Sequence, residues 1–530
     1  MITFAVAAPA LSLVLAELLA RRVGLAGRIC LTGVTLAFAA AVGLLAQVLI
    51  GSQGASAAGA LALHADRLTV AMLLLVLGVS ALAQAYALRN LAGSPQQRRF
   101  IRTTALTTSA VALTVSAEHL LLLLVGWELT SLGLLAIVGQ RRELPLAREG
   151  LGRAARSLLL GDGALLLAGA LIWRSAGDAS LVQLHRVALA LAHAKLPILL
   201  GTLPAGPCVA ALLTVAAAAR AAQLPGQSWL AATVTTPTPA SAMLHAGLVN
   251  AGGFLLVRLA PVFADGPTGP VLAVTIGLAT AIYGGTLSLS RTDVKGSLAQ
   301  STSAQMGFML MACGLGAYAA AIVHLIGHGL YKASAFLGAD GAVAAQTAKR
   351  RAPALRSDSA PPRGTLVAVA VLSAGAMAAA LASFAQVALA DRGAIVPLAF
   401  AWAAAVTVSS GLLTGSRLPR STVLILATAA SIAYAGLLAL LTAYLHLAAG
   451  ATYTLPLTLT LPIIALAFLA AWTLTAGATG LAGRLRTRLY PYLLDRGSVR
   501  VRPATGLHTR AGLLRPAEQP ARLSEQGAAA

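Results

Sequence analysis

Acidic side chains are scarce in this sequence, with 16 Asp+Glu in 530 residues, and all four charged types together make up only 10%. A soluble protein of this length carries about 25% charged residues to solvate its surface, so a soluble fold is excluded. Cysteine is nearly absent. The three that occur, Cys30, Cys208 and Cys313, lie in apolar stretches without CxxC spacing, which excludes a disulfide framework and a cysteine-held zinc or iron–sulfur site. Aromatics reach only 5%. Met1–Ala20 lacks a basic segment ahead of its apolar run, since Arg21 and Arg22 follow it, so a first membrane span is expected there rather than a cleaved signal peptide.

What is abundant is apolar residue, 58%, with mean hydropathy +0.82, and basic charge, 38 Lys+Arg for a net +22. In a soluble chain that charge would suggest nucleic acid. A membrane protein distributes it differently. Cutting wherever charge or Pro/Gly clusters interrupt runs of about 20 apolar residues predicts an all-α, polytopic helix bundle of about 14–15 spans. They fall near 2–20, 29–50, 68–88, 103–117, 119–139, 157–173, 201–224, 241–262, 270–290, 297–314, 317–338, 365–390, 394–413, 421–447 and 455–478. If the loop bearing Arg21 and Arg22 is cytoplasmic and sides alternate, about 30 of the 38 basic residues fall on the cytoplasmic side, among them Arg98, Arg99, Arg102, Arg141, Arg142, Lys349, Arg350, Arg351, Arg417 and the nine arginines from Arg484 onward. This positive-inside bias predicts a plasma-membrane protein with its N-terminus outside and C-terminus in the cytoplasm, and removes the need for a nucleic-acid partner. The Arg- and Pro-rich tail from Gly483 reads as a solvated arm on anionic lipid or a partner protein, or as plain disorder.

Charges inside a span are costly unless paired or hydrated, so each is a functional candidate. They are Glu17, Glu128, Asp162, Arg220, His245, His324, His328 and Lys332, with Asp293 and Lys295 at the mouth of the tenth span. Glu128 lies mid-span in LLLLLVGWELTSLGLLAIVG; it is either protonated or faces a cation in the bundle, or else forms a structural salt bridge. Asp162, between two glycines, reads equally as a structural or a relay group. His324, His328 and Lys332 are spaced i, i+4, i+8, a single helical stripe. No HExxH glutamate and no third ligand accompany the histidines, so a proton relay is expected rather than a metal site. Pro225 in QLPGQSW and Pro237 and Pro239 in TTPTPAS predict a broken helix beside a hydrated cavity, with His245 close by.

The series ARAAQLPGQSWLAATVTTPTPASAMLHAGLVNAGGFLLVRLAP (Ala219–Pro261), VGWELTSLG (Val125–Gly133), DVKGSLAQSTSAQMGFMLMACGLGAYAAA (Asp293–Ala321) and HLIGHGLYKASAFLGA (His324–Ala339) resembles the antiporter-like membrane subunits of respiratory complex I and of multisubunit Na+/H+ antiporters. The resemblance covers roughly residues 100–340. LHAGLVNAGGFLLVRLAP is most similar to the DabB branch, the membrane subunit of an energy-coupled inorganic carbon pump. The lack of a long lateral helix and final anchor is also what that branch leads one to expect. The resemblance implies inverted repeats and broken helices, N-terminal spans in 1–100, antiporter-like halves at 101–262 and 263–413, C-terminal spans in 414–480 and a tail at 481–530. It implies an ion pathway through Glu128, Asp162, Arg220, His245, His324, His328 and Lys332, with Arg220 in the place of a lysine that pairs with Glu128. It implies no catalytic centre and no cofactor in this chain, but a large cytoplasmic zinc-binding DabA-like partner resembling a β-carbonic anhydrase, driven by H+ or Na+. The alternative is a proton-translocating NADH:quinone oxidoreductase or cation/proton antiporter subunit. Two departures from the pattern stand out. A guanidinium at 220 does not release a proton. The twelfth span, 365–390, holds no charge before Asp391, so either Asp391 serves or the route is shorter.

Overall fold

The computed structural model describes residues 1–445 apart from 52–54, 58–61, 178–179, 199–200, 292, 340, 342–362, 384–394 and 416–417, and six single positions beyond. Apart from those six positions, the fifteenth predicted span and the basic tail lie outside the described residues, as do Asp391, Lys349, Arg350, Arg351 and Arg417. Eight helices among the described residues are long and apolar enough to cross a membrane. The long apolar runs become α1 (Ile2–Leu19), α2 (Val23–Leu49), α3 (Arg67–Asn90), α4 (Gln96–Ser116), α5 (Leu120–Val138) and α6 (Pro145–Ala176). Their ends follow local chemistry. Asp66 caps α3 by accepting the Thr69 amide at 2.8 Å, Pro145 opens α6, and Gly177, at φ +72°, closes it in a conformation that glycine adopts freely.

After α7 (Leu184–His193), an antiparallel hairpin of β3 (Lys195–Ile198) and β4 (Gly201–Pro204) leads into α8 (Ala205–Arg220). The seventh predicted span, 201–224, is thus shortened at both ends: Pro197 and Pro204 flank an extended segment, and the chain leaves the helix at Arg220. A second hairpin, β1 (Ala55–Ala57) with β2 (Leu63–Ala65), joins α2 to α3. Both hairpins lie outside the helices, where backbone groups need not be satisfied within one segment. Between Arg220 and Thr238 there is only the one-turn α9 (Ser228–Ala231) and a 3-10 turn at Ala232–Thr235. Pro225 lies in this break, as expected, but Pro237 and Pro239 start the next helix, α10 (Thr238–Ala246), at positions where proline is tolerated.

The eighth predicted span, 241–262, is not one helix. Gly247 ends α10, a 3-10 turn takes Leu248–Asn250, and α11 (Ala251–Arg258) and α12 (Ala260–Phe263) follow. Then come α13 (Thr268–Ser290), α14 (Val294–Gly314), α15 (Tyr318–Leu337), α16 (Arg363–Ser383), α17 (Ile395–Gly415) and α18 (Arg420–Leu445).

Small residues set the closest approaches, as expected where the apolar effect does not drive helices together in lipid. A Cβ on Gly277 would sit 2.5 Å from the Gly307 carbonyl, one on Gly307 equally close to the Gly277 carbonyl, and one on Gly314 2.5 Å from the Pro270 carbonyl. Helices α13 and α14 therefore meet backbone to backbone. The helices that carry the ionisable residues are among the most buried: all of α10 is inside the bundle, and Lys332, Arg220 and His245 are at most 1% exposed.

Candidate functional site

Two buried polar clusters occupy the interior. The first joins α5, α6 and α8. Asp162 Oδ1 accepts the Trp127 indole N–H at 2.8 Å and pairs with Arg220 Nη2 at 3.3 Å. The Arg220 guanidinium also lies 4.2 Å from the centre of the Trp127 ring and donates to the Ser131 hydroxyl. Arg220, expected to pair with Glu128, is ion-paired with Asp162 instead. The reason is position: Arg220 is the last residue of α8, and a Cβ on Gly161 would come 2.6 Å from the Ala219 methyl, so α6 and α8 approach closely beside Asp162. Glu128 Oε1 is buried without a hydrogen-bond partner, and Arg220 Nε and Nη1 likewise. Such atoms are costly to leave without partners in an apolar interior.

The second cluster joins α10, α14 and α15. Lys332 Nζ donates to the Leu298 carbonyl at 2.9 Å and the Ser301 hydroxyl at 2.5 Å. His245 Nδ1 is 3.1 Å from Thr302 Oγ1, and its ring stacks on Phe336 with centroids 4.4 Å apart. His328 bridges: Nε2 is 3.2 Å from the His245 carbonyl and Nδ1 2.6 Å from Gln305 Oε1. An imidazolium donates to both oxygens, whereas a neutral ring donates to one and requires the Gln305 amide to turn toward the other nitrogen. His324 continues the stripe with its ring centroid 6.0 Å from that of His328, and its Nε2 is buried without a partner.

Backbone geometry makes these contacts. The α10 helix stops at Gly247, which leaves the His245 carbonyl free of an intrahelical partner and turned toward His328. Gly329 lets α15 come close, since a Cβ there would stand 2.9 Å from the Ala246 carbonyl and 3.0 Å from Leu75. Lys295 Nζ, at the mouth of the tenth span, donates to the Thr236 carbonyl at 3.2 Å and so holds the segment before α10. Asp293 caps α14 through the Gly296 amide at 2.6 Å, and Glu17 makes a two-point pair with Arg102 near one end of α1.

Gln223, which sequence reasoning did not single out, lies in the helix break between the two clusters. It follows Arg220 by three residues and donates to the Ser303 carbonyl at 3.2 Å, one residue from Thr302, while its Oε1 is buried without a partner. Ser301, Thr302 and Gln305 were also missed. Their signal was the polar run QSTSAQ inside an otherwise apolar span. A half-buried pair, Arg258 with Asp66 at 2.5 Å, ties α11 to the start of α3, with Thr69 Oγ1 accepting from Arg258 at 2.7 Å. Burial alone would raise the Asp66 carboxyl, but the Arg258 charge and the hydrogen bonds from Arg258 and Thr69 outweigh it and hold it well below the usual carboxylate range. Among the described residues no group of three or more His, Cys, Asp or Glu is placed to hold a metal ion.

A family profile described as NADH:quinone oxidoreductase/Mrp antiporter, TM, matches residues 117–409, more than half of the chain and all the residues of both clusters. The chain belongs to this family. A second profile, the N-terminus of complex I chain 5, matches residues 56–101. Similar curated members of this antiporter-like family include a probable inorganic carbon transporter subunit DabB1 of Halothiobacillus neapolitanus, 38% identical over 52% of this chain and 49% of that one. Others are a DabB of Bacillus subtilis, 35% identical over 53% and 54%, and NADH-quinone oxidoreductase subunit L of Mycobacterium tuberculosis, 34% identical over 53% and 43%. The chain spans about half the length of these relatives. In fold it is similar to a chain of the Mrp complex from Dietzia sp. DQ12-45-1b, with TM-score 0.60 and 24% identity over 94% of this chain and 60% of that one. A chain of the archaeal membrane-bound sulfane sulfur reductase aligns with TM-score 0.56 and 16% identity over 91% and 77%. The protein is thus a multi-span membrane protein of the antiporter-like family.

Proposed function

We propose that this chain is the DabB-type membrane subunit of an inorganic carbon pump, conducting H+ or Na+ along the buried axis and coupling that movement to a cytoplasmic partner. The observation that carries the conducting role is the file of contacts Lys332–Ser301, Thr302–His245 and His245–His328–Gln305, with Gln223 leading from it toward Arg220, Asp162 and Glu128. Every member is a proton donor or acceptor in an interior otherwise apolar, where such groups are retained for transport. Arg220 keeps its charge throughout and sets the field at Asp162 and Glu128, while Glu128, the histidines and Lys332 exchange protons. The Dab reading itself is supported by the similarity to DabB1 of Halothiobacillus neapolitanus. On this reading the partner is a large zinc-binding DabA-like protein that hydrates CO2 to bicarbonate, no cofactor belongs to this chain, residues 101–262 and 263–413 are the two antiporter-like halves, and the N-terminus is outside with the C-terminus in the cytoplasm.

In a host lacking carbonic anhydrase, expression with the neighbouring partner gene should restore growth in air. Glu128→Gln and Lys332→Ala should each abolish bicarbonate accumulation while the complex still assembles. Normal accumulation in both variants would end the relay proposal. The second reading, a subunit of a quinone oxidoreductase, is favoured by the 34% identity to subunit L of Mycobacterium tuberculosis. Affinity purification separates the two: a single cytoplasmic zinc protein supports the carbon pump, and a set of respiratory subunits supports the other.

A further inference from the structure

Away from both clusters, a cleft of about 1130 Å³ opens between α2, α3, α15 and α18. Its walls are almost entirely apolar, among them Phe38, Leu75, Gly78, Ile326 and Leu441. Water would find too few partners there to fill it. The cleft runs along α3 from Arg67 to Leu82, which at about 1.5 Å per residue is roughly 22 Å, more than one leaflet's share of a hydrocarbon core of about 30 Å. One end is polar. Arg67 Nη1 donates to the Tyr444 carbonyl at 2.8 Å, its guanidinium lies 5.9 Å from the Tyr444 ring centre, and the Tyr444 hydroxyl donates back to the Arg67 carbonyl at 3.2 Å. Among the described residues no carboxylate pairs with Arg67, because its neighbour Asp66 is taken by Arg258.

We propose that this cleft holds one anionic phospholipid, its acyl chains along α3 and its phosphate on Arg67. The assignment rests on charge and shape together. A guanidinium already steadied by a carbonyl and an aromatic ring keeps donors free for a phosphate, and a tyrosine beside it marks the interface level of a bilayer. The position has a consequence for transport. Ile326 and Leu330 form one wall, and each lies two residues from a histidine of the stripe, so they occupy the opposite face of α15. The lipid therefore backs the helix that presents His324, His328 and Lys332, and fills what would otherwise be a void behind it.

Native mass spectrometry of the full-length protein, purified in mild detergent and incubated with equal amounts of dioleoylphosphatidylglycerol and dioleoylphosphatidylcholine, tests this. One phosphatidylglycerol per chain should be retained in preference to phosphatidylcholine. Arg67→Gln should lower that preference about tenfold, and Arg67→Lys should keep most of it. Ala71→Trp, which leaves the cation in place and fills the wall, should lose bound lipid of both kinds. Equal retention of both lipids by the unaltered protein would overturn the proposal, as would unchanged preference in a folded Arg67→Gln protein. A retained isoprenoid quinone in place of phospholipid, or disulfide crosslinking in high yield between cysteines placed at Leu74 and at positions 455–478, would overturn it too, by showing a different occupant.

Discussion

At the scale of single residues, the decisive observation is that Arg220 is buried and paired with Asp162 while Glu128 keeps an unpartnered oxygen. Removing one partner of a buried pair leaves an uncompensated charge, at a typical cost of about 3–5 kcal/mol. Asp162→Asn is therefore expected to lower the thermal unfolding temperature of the purified protein markedly. Glu128→Gln, which strands no charge, should leave that temperature nearly unchanged and remove transport, and a fluorescence-detected melt in detergent compares the two. Gln305 offers a finer test. Replacing it with Leu removes the acceptor opposite His328 without touching an ionisable group, and proton flux in reconstituted vesicles should fall at least tenfold with folding intact. The ionisable members of both clusters were legible in the sequence because a charge in an apolar run is conspicuous. Their partners were less so. Which carboxylate Arg220 meets depends on the packing of α6 against α8, and Gln223, Thr302 and Gln305 carry no charge to draw notice.

At the scale of elements, the interruptions matter more than the helices. Most long helices lie within a few residues of where apolar run length put them. The break at Gly247 did not declare itself, because the residues around it are as apolar as a continuous span. It frees the His245 carbonyl, and Gly329 brings α15 near enough to use it. Gly329→Leu should push α15 away from Ala246 and Leu75. Transport should be lost while the protein stays in the membrane, and a cysteine pair across α10 and α15 that crosslinks in the parent should no longer do so. Strand β4 was likewise hidden inside a predicted span, since the apolar composition of GTLP counts toward helix as readily as toward strand.

At the scale of the whole molecule, the Asp66–Arg258 pair fastens the start of α3 to the end of α11. The Asp66 carboxyl is held below its value in the unfolded chain, near 4 for an aspartate, so its contribution is complete above that value and is lost as pH falls below it. Unfolding temperature should thus drop more steeply between pH 5 and pH 3 (roughly the range over which an unfolded aspartate titrates) in the parent than in Arg258→Gln, which is destabilised throughout but less sensitive to acid. Membrane orientation is open to a direct check. Cysteines placed at Ser94 and at the exposed Gln183 should react with an impermeant maleimide from opposite sides, Ser94 only in inverted vesicles, if the basic loops face the cytoplasm. The contact of α13 with α14 bears on how such a molecule could transmit work. At Gly277 against Gly307 and at Gly314 against the Pro270 carbonyl, the two backbones meet with no side chain of either glycine between them to absorb a displacement. At these points the pair is a stiff strut, and because α14 carries Ser301, Thr302 and Gln305, a displacement of α13 is passed to the residues that hold Lys332, His245 and His328 with little mechanical slack.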